Sequence, residues 1–153
     1  MKLILTTLLL FAFRPDNFIG EPVATLTCKS ASGRTQFSAE LPSCSYLEKA
    51  EFLIDGSKLT FSKQDQSSII FDPTNKVFTI YLESASNDTK AHKFIKFWAL
   101  PDSFKKVKSV TGPGSQFHDT YEFRAKIFGS EPRKDKEYNS KEIELICTLD
   151  YEL

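Results

Sequence analysis

The chain has 153 residues, enough for one domain of ordinary size and too few for a multidomain machine. Hydrophobic residues make up 41% and charged residues 26%, a globular composition that excludes an intrinsically disordered chain. Lys and Arg number 20 and Asp and Glu number 20, so the formal net charge is +0. That balance argues against a nucleic-acid binder, whose affinity comes mainly from neutralising phosphates.

The chain starts with Met1-Lys2 and then the apolar run Leu3 to Phe13. One positive residue ahead of a short apolar stretch matches the first two regions of a secretory signal. The run is too short to cross a bilayer as a helix, which needs roughly 20 residues. Arg14, Pro15, Asp16 and Asn17 stop it. Gly20 is the favoured cleavage point, although Phe18 fits the small-residue rule poorly; Ala24 is the other candidate. The organisation read here is a signal peptide over residues 1–20 and a single β-domain over 21–153. An uncleaved N-terminal strand, or a misassigned start, is the competing reading. Cys28 follows Thr27 and lies well beyond the apolar run, which argues against lipidation. Removing the leader leaves the charge near neutral, and no membrane span remains.

From there the chain reads as all-β. Strict apolar–polar alternation marks half-buried strands, and it recurs along the whole sequence. Ala24, Leu26 and Cys28 share one face; Phe37, Ala39 and Leu41 follow. Ala50, Phe52 and Ile54 lead into Asp55-Gly56, a strong hairpin signal because both residues tolerate positive φ. Leu59 and Phe61 continue the pattern, and Ile69 to Phe71 form the next strand. Asp72-Pro73-Thr74-Asn75 reads as a turn. Phe78, Ile80 and Leu82 form a strand ahead of the polar stretch Ser84 to Lys90, and His92 to Ala99 form another that Pro101 ends. Past the Gly112-Pro113-Gly114 loop, Tyr121, Phe123, Ala125 and Ile127 line one face. Residues 129–141 are charged and loop-like. Ile143, Leu145, Cys147, Leu149, Tyr151 and Leu153 close the chain on one face. The expected fold is an antiparallel β-sandwich or flattened barrel of about nine or ten strands with one or two short helical turns. The helical turns are expected at Ser45 to Glu48, which fits a capping box, and from Asp102-Ser103 through Lys106.

Three cysteines leave one unpaired within the chain. An exported protein meets an oxidising compartment, so a disulfide is expected. Cys28 and Cys147 lie on the apolar faces of terminal strands, and chain termini tend to lie close together. Cys28–Cys147 is therefore the expected bond, with Cys44 left over. Cys28–Cys44 is the competing pair, and two buried free thiols are the alternative to both. No Cys or His spacing suits a metal, and no cofactor motif is present.

Catalysis finds little support. Only His92 and His118 supply imidazoles. His118 adjoins Asp119, but strand neighbours point to opposite faces, so the two do not form a dyad. No nucleophile elbow or phosphate-binding glycine loop occurs. The carboxylates Glu122, Glu142, Glu144, Asp150 and Glu152 read as a solvated polar face.

The aromatics are more informative. In Phe94-Ile95-Lys96-Phe97-Trp98 and in Val77 to Leu82, apolar groups fall on both faces. If Phe78, Ile80, Leu82, Ile95 and Phe97 face the core, then Val77, Tyr81, Phe94 and Trp98 face outward. Tyr81, Phe94, Trp98 and Lys96 are thus the candidate ligand-binding residues, able to stack on a sugar or dock a protein. The alternative is that these strands are covered on both faces. Lys93, Lys96, Lys105, Lys106 and Lys108 form a basic cluster nearby. Asn87-Asp88-Thr89 is a glycosylation sequon if the chain meets a glycosylating compartment. The function expected is an exported, secreted or periplasmic, non-catalytic binding protein for a protein or glycan partner, acting through this aromatic face or its loops. An inhibitor of a secreted cell-wall hydrolase is the alternative. An enzyme and a small outer-membrane barrel are weaker readings, the barrel because charges on a lipid face cost about 2–4 kcal/mol each near the midplane.

Overall fold

The computed structural model describes residues 23–85, 92–130 and 141–153. The expected leader over 1–20, the Asn87 sequon and most of the 129–141 loop lie outside them. The described chain is nearly all β, as the alternation predicts. Its strands are β1 (Val23–Lys29), β2 (Thr35–Pro42), β3 (Lys49–Ile54), β4 (Ser57–Ser62), β5 (Gln66–Asp72), β6 (Val77–Glu83), β7 (Phe94–Ala99), β8 (Lys105–Thr111), β9 (Phe117–Gly129) and β10 (Ile143–Glu152). All pairings are antiparallel, in the order β4-β3-β2-β1-β10-β9-β7-β6-β5, with β8 added beside β9.

This sheet curls into a half-barrel around one core. The alternation drives the curl: most strands carry an apolar row on one face, and a curved sheet buries those rows against each other, while β8, exposed at every residue, adds none. Phe37 on β2 meets Phe97 on β7 with ring centroids 5.3 Å apart, although β1, β10 and β9 lie between their strands. Phe71 on β5 likewise reaches Tyr121 on β9 and Tyr151 on β10. The two free ends of the sheet, β4 and β5, are consecutive in the chain and joined by a tight turn. Asp65 holds it: its carboxylate accepts from the Ser62 amide at 2.8 Å and from the Ala85 amide at 3.0 Å.

The turns follow their residues. Asp55 and Gly56 adopt φ of 47° and 82°, the positive values that a two-residue hairpin requires. Asp72 caps the β5–β6 turn by accepting from the Asn75 amide at 3.0 Å and its side-chain nitrogen at 2.7 Å, and these bonds lower the Asp72 pKa.

Cys28 and Cys147 form the expected disulfide. They sit directly opposite each other on β1 and β10, both buried, with Cα atoms 4.1 Å apart. Cys44 is free.

Two expectations about helical turns change. Ser45 to Glu48 is not helical. Ser43 and Cys44 both take positive φ, 57° and 54°, and Leu47 is buried in the core. Burying Leu47 outweighs the local capping signal, and the segment runs as an irregular link between β2 and β3. The turn after Pro101 is a single 3-10 turn, Pro101–Ser103, that stops at Phe104 instead of reaching Lys106. Phe104 is drawn inward to stack on Phe123, with centroids 4.9 Å apart, and the chain is extended again from Lys105.

Candidate functional site

β6, β7 and the second half of β9 position the outward aromatics. Phe78, Ile80, Leu82, Ile95, Phe97 and Ile127 fill the core, so their neighbours in sequence must face the other way. Val77, Tyr81, Phe94, Trp98 and Phe128 are accordingly on the outer face, each half-buried. Register assembles them. Tyr81 faces Lys96, which faces Phe128; Thr79 faces Trp98, which faces Lys126. Phe94 reaches Phe128 diagonally, with centroids 5.8 Å apart. Ile70, 55% exposed, extends the row through Thr79 on the adjoining strand.

Gly129 makes the close approach of β7 and β9 at this point. A Cβ there would lie 2.3 Å from the Phe94 carbonyl oxygen and 2.9 Å from Ile95 Cα. Ser130 then ties the strands: its amide donates to the Phe94 carbonyl at 2.9 Å, and the Phe94 amide donates to its hydroxyl at 3.1 Å.

Polar groups frame the aromatics. The Lys96 ammonium lies 5.9 Å from the centroid of the Tyr81 ring, and Lys96 makes no ion pair among the described residues. The Tyr81 hydroxyl donates to Glu83 at 2.8 Å; that bond, with some burial, raises the Tyr81 pKa. Glu83 also meets His92 Nε2 at 3.1 Å. Lys126 pairs with Glu142, and Arg124 with Glu144 at 3.1 Å. A platform with flat apolar surfaces and a polar border can stack on a ring and hydrogen-bond around its rim.

The four candidate ligand-binding residues, Tyr81, Phe94, Lys96 and Trp98, are thus neighbours on one face. Phe128 joins them, and sequence reading missed it. Its signal was present, because Phe128 breaks the alternation of Ala125 and Ile127 by standing at a polar position.

A second cluster was also missed. Asp119 is inward-facing and 5% exposed. It accepts from the Ser109 hydroxyl at 2.5 Å and the Tyr121 hydroxyl at 3.2 Å, and it pairs with Lys106 at 2.6 Å. Burial alone would raise its pKa, but the bonds from Lys106 and Ser109 prevail and lower it. Lys106 also lies 5.6 Å from the centroid of the Tyr121 ring. Asp119 stands in register with Tyr121, Phe123 and Ala125, and a carboxylate on that apolar row was the signal. Every buried side-chain polar atom among the described residues is bonded, so the cluster reads as a clamp that fastens β8 to β9.

His118 points away from Asp119, as strand alternation requires, and meets Asp150 on β10 at 3.2 Å and Glu152 at 3.6 Å. It lines an open cleft of about 380 Å³ with Val110, Gln116 and Leu153. No group of three or more His, Cys, Asp or Glu suited to a metal occurs among the described residues. No helix among them is long and apolar enough to cross a membrane. No family model, curated protein or solved structure matches the chain.

Proposed function

We propose that this chain is an exported, non-catalytic binding protein that takes a glycan on the outer face of β6, β7 and β9. The supporting observation is the grouping of Tyr81, Phe94, Trp98 and Phe128 on one outer face around Lys96. Half-buried rings on a sheet offer flat surfaces to the apolar face of a sugar. Lys96 and the Tyr81–Glu83–His92 chain supply polar partners for its hydroxyls. Export rests on the leader-like residues 1–20 and on the Cys28–Cys147 bond, which suits an oxidising compartment.

Trp98 is the sole tryptophan of the chain, so its emission reports this face alone. The test records its emission maximum and iodide quenching, then titrates soluble cell-wall glycan fragments. A quenchable signal that shifts saturably with glycan, and becomes protected from iodide, supports the reading. A signal unchanged by every fragment removes it. A shift produced only by a protein titrant would replace the glycan with a protein partner.

A further inference from the structure

β8 is the one strand whose residues are all exposed, among the described residues, and it pairs only with β9. Among the described residues nothing pairs with its other edge, which presents backbone donors and acceptors in the arrangement that accepts an added strand. The strand reads Lys105-Lys106-Val107-Lys108-Ser109-Val110-Thr111, with three cations and no acid. Its register on β9 fixes the two faces of the edge. Lys105, Lys108 and Val110 lie opposite Glu122, Thr120 and His118, on the outer face. Lys106 and Ser109 lie opposite Tyr121 and Asp119, on the inner face, where both are bonded to Asp119.

We propose that β8 is a docking edge for an extended, acidic segment of a partner protein, added as a further strand. Three features support that occupant. Side chains of neighbouring strands lie about 5 Å apart, so acids on the added strand would face Lys105 and Lys108 directly. Val110, 48% exposed, offers an apolar contact beside them. A second copy of β8 would set lysine against lysine, and like charges directly opposite are unfavourable, so the edge disfavours its own kind. The Asp119 clamp keeps the template strand in place without using its outer edge. The irregular register between Lys106 and Lys108 falls at Val107, which leaves the stretch from Lys108 to Thr111 as the regular part of the template.

The test selects displayed random peptides against the whole protein and then measures the selected peptides in solution. Selected sequences should be acidic and alternate with Val, Ile or Thr. A bound peptide should slow amide exchange in Lys108 to Thr111. The double variant Lys105→Glu/Lys108→Glu, at two exposed positions, should keep its circular dichroism and weaken binding about tenfold. N-methylating alternate peptide amides should abolish binding, because those amides make the ladder. Failure to enrich peptides, enrichment without acids, binding that survives N-methylation, or exchange protection mapped to Trp98 instead of β8 would each overturn the proposal.

Discussion

Lys96 and Tyr81 are register partners on β7 and β6, and the Lys96 ammonium stands 5.9 Å from the centroid of the Tyr81 ring. The pair joins the charge and the stacking surface of the candidate site. Both side chains face away from the core, so removing either should leave the fold intact. Tyr81→Ala and Lys96→Ala should each weaken glycan binding about tenfold, as truncation of an interface anchor does. Calorimetric titration measures the loss, and thermal unfolding should show little change in Tm. Affinity unchanged from the wild-type protein in both variants would dissociate this face from binding.

The backbone approach at Gly129 carries its own prediction. A Cβ at that position would overlap the Phe94 carbonyl, which is main chain and cannot rotate away. Gly129→Ala should destabilise the protein by about 1–3 kcal/mol, the usual cost of overpacking. Urea unfolding followed by Trp98 emission gives the value. Because β7 must move, the same variant should also alter the emission maximum of the folded state.

Asp119 predicts a pH dependence. Its pKa is lowered in the folded state, so its stabilisation is whole above the unfolded carboxylate value of about 3.9. It is lost as pH falls below that value and through the lower folded one. Asp119→Asn should cost about 1–3 kcal/mol at neutral pH, because Lys106 and Ser109 lose a charged acceptor. The difference between the two proteins should shrink as pH falls through this window. Denaturant unfolding at a series of pH values tests it; a constant difference would separate Asp119 from the acid limb.

The thiols give a direct chemical count. Under denaturing, non-reducing conditions the oxidised protein should titrate one thiol, Cys44, and after reduction all three cysteines. In the native protein Cys44 should react slowly at neutral pH, because burial pushes its pKa up to about 11 and little thiolate forms. Replacing Cys28 and Cys147 together by Ala should cost about 2–5 kcal/mol, since the bond spans a separation of 119 residues. A rapid native reaction of Cys44 would contradict its burial.

By itself the sequence determined the alternating strands and most turns, and it put Cys28–Cys147 first among the pairings it left open. Alternation is a local property, so the inward rows of Ala24, Leu26 and Cys28, or of Tyr121, Phe123, Ala125 and Ile127, were readable one strand at a time. The outward direction of Tyr81, Phe94 and Trp98 followed from the same arithmetic. Where alternation was absent, reading failed. β8 is exposed on every residue and carries lysines that no core demands, so its strand conformation comes only from pairing with β9. Ser45 to Glu48 showed a helix signal that burial of Leu47 overruled. Tertiary structure alone decided which strands are neighbours. That choice set Phe37 against Phe97, placed Phe128 beside Phe94, and brought Lys106 and Ser109 to Asp119. Pairing partners far apart in sequence are chosen by how the apolar rows close around one core, and no local pattern carries that information.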